Sequence, residues 1–269
     1  MRRVQRRERC LVMGVLNVTP DSFYHGGRST EISAALDHAA RLVRDGADIL
    51  DVGGESTRPG AEPVSAQTEL DRVIPVIERL HREFDLPVSI DTRRAQVMRE
   101  AVAAGATMIN DVYALRGEGA LEAATELKVQ VCLMHMLGAP RTMQEAPTYN
   151  DVVVDVQQFL NERIDACLTA GIAETNIIVD PGFGFGKTLE HNLSLLRNLD
   201  EIAGLGFPVL VGMSRKSMLG QILDKGVDQR LYGSLALAVL ARQNGAAIIR
   251  VHDVAPTVDT LTVLEAVSG

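Results

Sequence analysis

The sequence predicts a (β/α)₈ barrel, also called a TIM barrel, with the active site at the C-terminal ends of its strands. Two observations support this fold. Short unbroken apolar runs alternate with helical patterns, and this pair of elements occurs eight times in 269 residues. Strands covered by helices on both faces have such unbroken runs, and about 250 residues is the usual size of the barrel. An open, doubly wound sheet is the alternative, which the number of units disfavours.

The strands are predicted from the apolar runs, at residues 11–16, 49–52, 88–91, 107–111, 130–134, 177–179, 209–211 and 247–252. Helices are predicted where apolar side chains recur every three or four residues. They lie at 32–45, near 70–77, and at 94–104, 121–127, 152–170, 193–205, 217–223, 230–243 and 258–267. Ser29 or Thr30 is the expected cap of the first helix. Pro75 predicts either a kink in the second helix or its late start.

Composition and charge limit the possible partners and surroundings. Residues 1–269 are predicted to form one domain, with an arginine-rich segment at 1–9, and the net charge of −8 argues against a nucleic-acid partner. No apolar run approaches the ~20 residues of a membrane span. Gly14, Asn17 and Pro20 break the run that would serve as a signal peptide. Three widely spaced cysteines are typical of a reducing compartment, so we expect a cytoplasmic protein.

Polar residues occupy the C-terminal ends of most predicted strands. Any one of them could merely cap the next helix, but in a barrel all of them converge on one mouth. A cluster of acids there requires cations beside it, because unpaired buried charge is costly. The strand-end residues, which include one methionine, are Asn17, Asp51, Asp91, Asn110, Met134, Asp180, Lys216, Arg250 and His252.

The residue types indicate the ligand's chemistry. A carboxylate beside an amide is complementary to a flat ring with adjacent N–H groups, such as a guanidine-like edge. Arginine, histidine and asparagine suit phosphate oxygens, and Asn17 or Asp21 could bind a hard metal such as Mg²⁺. No two histidines have zinc spacing. The residues therefore predict an enzyme that acts on a phosphate-bearing heterocycle.

The glycine-rich segment 180–188, DPGFGFGKT, does not match either common nucleotide-binding loop. A P-loop requires glycine where Pro181 stands, and a dinucleotide fingerprint requires G-x-G-x-x-G rather than G-x-G-x-G. We therefore interpret Lys187 as part of a solvated helix start. His135 is interpreted as a hydrogen-bonded neighbour of the site.

Five motifs occur in order at predicted strand ends, namely LNVTPDSF at 16–23, GESTRPG at 54–60, DPGFGFGK at 180–187, GMSRKS at 212–217 and RVHD at 250–253. Together they resemble those of dihydropteroate synthases, and the resemblance runs from about Cys10 to the C-terminus. It implies a transferase of folate biosynthesis that joins 7,8-dihydropterin-6-ylmethyl diphosphate to 4-aminobenzoate, giving 7,8-dihydropteroate and diphosphate. Sulfonamides would compete at the aminobenzoate pocket. The mechanism would be dissociative, with Mg²⁺ as cofactor.

The resemblance also implies a role for each matching residue. The implied pterin site is Asp91, Asn110, Met134, Asp180, Gly212 and Lys216. The implied diphosphate site is Asn17, Arg58, Arg250 and His252, with Asn17 also near the metal. The implied aminobenzoate pocket is Thr57, Arg58, Phe185, Lys216 and Ser217. Asp91, Lys216, Arg250 and His252 would take part in catalysis. A homodimer through late helices, with 236–243 in its interface, is implied as well.

Two other functions remain open at this point. A pterin-binding methyltransferase domain would share the barrel and the Asp/Asn pair, although it does not require the STRPG and SRKS motifs. A non-catalytic paralogue would only bind pterin. One residue departs from the pattern of the family: His25 stands where an acid often precedes two glycines, which bears on metal affinity. As an exposed loop residue it could equally vary without effect.

Overall fold

A computed structural model describes residues 9–19, 28–56, 62–138 and 143–268. Its eight parallel strands follow one another around a closed barrel in chain order, and β1 pairs with both β2 and β8. The predicted fold is therefore confirmed, and the open-sheet alternative is wrong. The strands are β1 (Leu11–Asn17), β2 (Ile49–Gly53), β3 (Val88–Asp91), β4 (Met108–Asp111), β5 (Gln130–Met134), β6 (Ile177–Asp180), β7 (Val209–Val211) and β8 (Ala246–Val251).

Helices lie between the strands, close to the predicted positions. The α-helices of the described residues are α1 (Arg28–Arg44), α2 (Ala66–Glu83), α3 (Ala95–Ala103), α4 (Ala120–Leu127), α5 (Val152–Thr169), α6 (Leu189–Arg197), α7 (Leu199–Ala203), α8 (Ser217–Leu223), α9 (Leu231–Gln243) and α10 (Val254–Ser268). None of the described helices is both long and apolar enough to cross a membrane.

Several predicted helix boundaries were wrong. The predicted helix 193–205 is two helices, because the backbone leaves the helical region at Asn198 (φ −115°, ψ 31°), whose side chain caps the Ser194 carbonyl. Helix α1 begins at Arg28, before both predicted caps, and α10 begins at Val254 rather than 258. Helix α2 begins at Ala66 and includes Pro75, which excludes the late start.

The barrel interior is built in layers, because side chains two residues apart on a strand point to the same face. An apolar layer fills the interior. Two residues further along five of these strands, the same inner face carries a residue of the predicted site. The apolar layer consists of Leu11, Met13, Ile49, Met108, Cys132, Ile178, Leu210 and Ile248. The residues two positions on are Asp51, Asn110, Met134, Asp180 and Arg250. The mouth is therefore a second layer, stacked on an apolar floor.

Candidate active site

The guanidinium of Arg250 on β8 contacts acids on two other strands of the mouth, and one of these acids contacts an amide on a third strand. Its Nε donates to Asp51 Oδ2 at 2.6 Å, and its Nη2 donates to Asp91 Oδ2 at 3.0 Å. Asp51 Oδ2 also accepts from Asn110 Nδ2 at 3.1 Å. Strands β2, β3 and β4 lie side by side, and β8 is separated from β2 only by β1.

Asp51 is a central residue of this network to which the sequence prediction assigned no role. It is fully buried, whereas Asp91 keeps 8% of its surface exposed. No signal in the sequence separates Asp51 from a helix-capping acid, because its partner Arg250 lies 199 residues away. Burial raises the pKa of Asp91 to about 7, although the charge of Arg250 opposes the shift.

Asp180 ends β6 on the opposite side of the mouth. Its Oδ1 accepts a hydrogen bond from the Gly182 amide at 2.7 Å. Burial raises the pKa of Asp180, and the positive charge of Lys216 is the largest opposing influence. Burial lowers the pKa of Lys216 to about 8. Gly212 leaves space between the cations, since a methyl group there would lie 3.7 Å from Arg250 Cβ and 4.0 Å from Lys216 Nζ.

Lys216 and Phe185 form one wall of the mouth. The Lys216 amine lies 4.5 Å from the centre of the Phe185 ring and donates to the Phe183 carbonyl. Phe185 also packs against a methionine-rich cluster formed by the residue after β4, the end of β5 and the loop after β5. An ammonium group beside a partly buried ring suits a ligand that has both a carboxylate and an aromatic ring. The members of the cluster are Val112, Met134, Met136 and Met143.

Lys187 does not lie where the sequence predicted. Only 3% of its surface is exposed, so the interpretation as a solvated helix start is wrong for this residue. Its Nζ lies 2.8 Å from His135 Nδ1, which bears out the hydrogen-bonded role of His135. The next residue, Thr188, is exposed and caps α6. No local pattern indicates this burial, because Lys187 is enclosed jointly by its own loop and by His135, 52 residues away.

The loops after β7 and β8 are linked by side chains. Arg215 has left-handed backbone geometry (φ 59°) and makes two hydrogen bonds to Asp253, at 2.8 and 2.6 Å. Ser214 Oγ accepts from the His252 amide at 3.3 Å and lies 3.2 Å from its ring Nδ1. The His252 side chain is exposed at the rim, as is that of Ser217.

Asn17 faces the same gap as Asp91. A methyl group on Gly53 would lie 3.4 Å from Asn17 Oδ1 and 3.8 Å from Asp91 Oδ2. The described residues contain no group of three or more His, Cys, Asp or Glu side chains arranged to hold a metal ion. Among the described residues, the amide oxygen of Asn17 is the donor at this gap that suits a hard metal such as Mg²⁺.

Four residues considered from the sequence, namely Asp21, His25, Thr57 and Arg58, lie outside the described residues. The two ends of the segment that contains Thr57 and Arg58 are nevertheless held together. Arg94 donates to Glu55 Oε2 at 2.6 Å and to the Val64 carbonyl at 2.6 Å. The sequence prediction missed this clamp, because Arg94 lies 30 and 39 residues from its two partners.

Comparisons with known proteins agree with this geometry. Residues 13–252 match the sequence model of a family described as pterin binding enzyme. The dihydropteroate synthase of Escherichia coli K12 is 54% identical over 255 residues, which cover 95% of this chain and 90% of the relative. The Xanthomonas albilineans enzyme solved with 7,8-dihydropteroate is 50% identical (TM-score 0.89; 97% and 95% of the chains). The Yersinia pestis enzyme solved with a sulfonamide drug complex is 52% identical (TM-score 0.92; 97% and 94%).

A double-mutant cycle on Asp51→Ala and Arg250→Ala tests the central ion pair. We expect a coupling free energy of about 1–3 kcal/mol from denaturant unfolding, because the two side chains meet away from water. The exposed pair Glu190 and Arg197, 2.7 Å apart, is the matched control. It should couple by less than about 1 kcal/mol. Equal coupling in the two cycles would contradict the structural importance assigned to Arg250.

Proposed function

This chain belongs to the dihydropteroate synthase family of pterin-binding enzymes, and on that premise we propose how its barrel mouth performs the family's reaction. The enzyme joins 7,8-dihydropterin-6-ylmethyl diphosphate to 4-aminobenzoate, giving 7,8-dihydropteroate and diphosphate. The observation that carries this conclusion is the likeness to a relative solved with 7,8-dihydropteroate. Sulfonamides, which resemble aminobenzoate, are expected to compete with it.

The pterin is assigned to the layer of strand-end side chains. Asp180 and Asn110 would hold the amino-pyrimidinone edge, and Asp91 the ring N–H on the other side. Lys216 would donate to the ring carbonyl, with Met134 and Gly212 lining the pocket. This assignment is supported by the burial of the three polar side chains Asp91, Asn110 and Asp180, of which at most 8% is exposed. Hydrogen bonds to charged partners are strong in such surroundings.

The diphosphate is assigned to the rim beside the pterin. Arg250, which exposes 21% of its side chain, and His252 would contact the phosphate oxygens, together with Asn17 and Arg58. We propose Mg²⁺ as cofactor, with Asn17 as its protein ligand. When bound, the metal would neutralise charge on the departing diphosphate. Arginine and histidine can act on the same oxygens.

The second substrate is assigned to the wall formed by Phe185 and Lys216, with Ser217, Thr57 and Arg58 around it. The ring of 4-aminobenzoate would lie against Phe185, and its carboxylate would be near Lys216 and Ser217. The support is the cation beside an aromatic ring, 4.5 Å from its centre. This arrangement would direct the amino group towards the pterin.

The proposed mechanism is dissociative. The bond between the pterin methylene carbon and the diphosphate oxygen breaks, and the electron pair leaves with diphosphate. The resulting cation is delocalised over the pterin ring and stabilised by the carboxylates of Asp91 and Asp180. The neutral amino nitrogen then attacks the methylene carbon and releases a proton to water. Holding both reactants in line supplies a large part of the rate.

Diphosphate release in the presence of both substrates and Mg²⁺ tests the activity. We expect turnover that stops when the metal is chelated and resumes when Mg²⁺ is restored.

Asp180→Ala should weaken pterin binding in calorimetry by about 10- to 100-fold, because a buried charged acceptor is lost. The exposed Asp165→Ala is the matched control. Binding of pterin without any turnover would instead identify a non-catalytic paralogue. A methyltransferase domain is already disfavoured, because a dihydropteroate synthase is 54% identical in an alignment that covers 95% of this chain.

The pH dependence of kcat/KM for aminobenzoate tests the role of Lys216. The pKa of Lys216 is lowered to about 8, so its cationic form predominates below that pH and is lost above it. We therefore expect kcat/KM to fall above about pH 8, because a neutral amine no longer attracts the carboxylate. Lys216→Arg should remove this fall, since guanidinium stays charged. A fall that persists unchanged in this variant would assign the titration to another group. The control Lys225→Arg, at an exposed position, should still show the fall of kcat/KM at high pH.

We also propose a homodimer that forms through α9 and α10. These helices expose Leu240 (46%), Val263 (65%) and Val267 (82%), and the two valines line an apolar groove together with Val239. Clustered exposed apolar side chains often mark a protein–protein interface. The three cysteines are free and buried, which supports a reducing compartment such as the cytoplasm.

Sedimentation velocity tests the dimer. The sedimentation coefficient of the unchanged protein should correspond to twice the mass of one chain. Val263→Glu should give the coefficient of a monomer, because a charge would be buried in the interface. The control Val154→Glu places the same charge on α5, where valine is 54% exposed, and should remain dimeric. A monomer at all concentrations would contradict the assembly.

A further inference from the structure

Lys187 lies beneath the glycine loop, on the side away from the mouth. Its Nζ is 2.8 Å from His135 Nδ1, 2.9 Å from the Gly182 carbonyl and 3.1 Å from the Phe185 carbonyl. The His135 carbonyl is a fourth, longer contact at 3.5 Å, and the three nearer acceptors match the three N–H groups of one ammonium. The donors of Lys187 are therefore engaged within the protein, and only 3% of its surface is exposed. Any effect on the reaction must therefore pass through the loop.

Side-chain donors hold every carbonyl from Gly182 to Gly186. Lys187 donates to the first and fourth of them, at the two ends of a turn that the Phe185 amide closes on the Gly182 carbonyl at 3.1 Å. Lys216 donates to the Phe183 carbonyl from the mouth side. Gln144 donates to the Gly184 carbonyl at 2.5 Å, and Tyr149 to the Gly186 carbonyl at 2.7 Å. The loop therefore lies between two lysines, one in the site and one behind it.

The glycines allow this arrangement. Gly182, Gly184 and Gly186 all have positive φ, at 69°, 80° and 64°, which side chains rarely adopt. A methyl group on Gly182 would lie 1.9 Å from the His135 carbonyl, and one on Gly186 would lie 2.6 Å from the Leu137 carbonyl. The loop is therefore pressed against the segment after β5, and Lys187 fills the space beneath the turn.

We propose that Lys187 is a positioning residue, whose hydrogen bonds to the turn Gly182–Phe185 hold the Phe185 ring in place for the second substrate. The turn carries Phe185, whereas the backbone of Lys216, which is assigned to both substrates, is held on the loop after β7 by its amide bond to the Met213 carbonyl at 3.3 Å. Asp180 depends less on Lys187, because β6 pairs with β5 and the His135 amide donates to the Asp180 carbonyl at 2.9 Å. Loss of Lys187 should therefore affect aminobenzoate more than pterin.

Burial and hydrogen bonding act on Lys187 in opposite directions. Burial lowers the pKa of Lys187, which disfavours the ammonium form, while the charge of Asp180 opposes that shift and the surrounding acceptors stabilise the N–H groups. Burial and the neighbouring Lys187 lower the pKa of His135 to about 2, so the imidazole is neutral and can accept at Nδ1. The ring of His135 is in turn fixed by Phe159, edge to face at 4.9 Å.

Steady-state kinetics of Lys187→Met test the proposal, which rests on the proposed function. Methionine keeps the length of the side chain but removes all three donors. We expect KM for aminobenzoate, and the dissociation constant of a sulfonamide, to rise by about tenfold or more. The dissociation constant of the pterin diphosphate in calorimetry should change by less than about threefold. Lys225→Met, which removes an exposed lysine, should change neither.

Equal losses for the two ligands, or a lower melting temperature with both constants unchanged, would overturn the proposal and leave Lys187 with a structural role only. If Lys187→Met does not fold, the same comparison is made on Lys187→Gln, which keeps one donor group, and on Tyr149→Phe, which loses only the bond to the Gly186 carbonyl. Both should show the same selectivity with a smaller rise, and its absence would overturn the proposal. Failure of the proposed function is distinguishable, because the unchanged protein would then release no diphosphate.

Discussion

The guanidinium of Arg250 lies between the carboxylates of Asp51 and Asp91, and the rest of the mouth depends on this contact. Burying several carboxylates in a barrel interior costs free energy, because each one loses its hydration. One planar cation with a separate N–H for each acid reduces that cost. The Asp51 oxygen that accepts from Arg250 also accepts a hydrogen bond from the Asn110 amide, which orients the Asn110 side chain. Three residues of the predicted site therefore share a common support, and Asp51 is its buried centre.

The same charges suit the proposed chemistry. Among the described residues, the mouth contains the acids Asp51, Asp91 and Asp180 against the cations Arg250 and Lys216, so acids outnumber cations in this part of the chain. Burial raises the pKa of Asp91 to about 7, although the charge of Arg250 opposes the shift. In the proposed mechanism these acids stabilise a positively charged intermediate at the pterin methylene, and the diphosphate would leave towards the rim, where Arg250 and His252 lie.

The two substrates are assigned to different kinds of structure. The proposed pterin residues Asp91, Asn110 and Asp180 lie in the last two residues of strands, whose ladder hydrogen bonds fix them. Of the described aminobenzoate residues, Phe185 and Lys216 lie on loops, and Ser217 is the first residue of α8. A loop needs other means of support, and here a buried lysine and a row of side-chain donors supply it. The proposed pterin pocket is therefore positioned by strand pairing. The proposed aminobenzoate pocket is positioned by side-chain hydrogen bonds, some of which a single substitution would remove.

The sequence by itself determined the barrel, most helix positions and the strand-end residues, because these follow from short-range periodicity. An inward side chain two residues after an apolar one is readable from a single strand, as in Ile178 and Asp180. The family resemblance, now shown by the comparisons, added the roles. Only the tertiary structure decided that Lys187 is buried, that Asp51 pairs with Arg250, and that Arg94 joins Glu55 to Val64. In each case the partners lie tens to hundreds of residues apart, and closure of the barrel, which no local pattern encodes, brings them together.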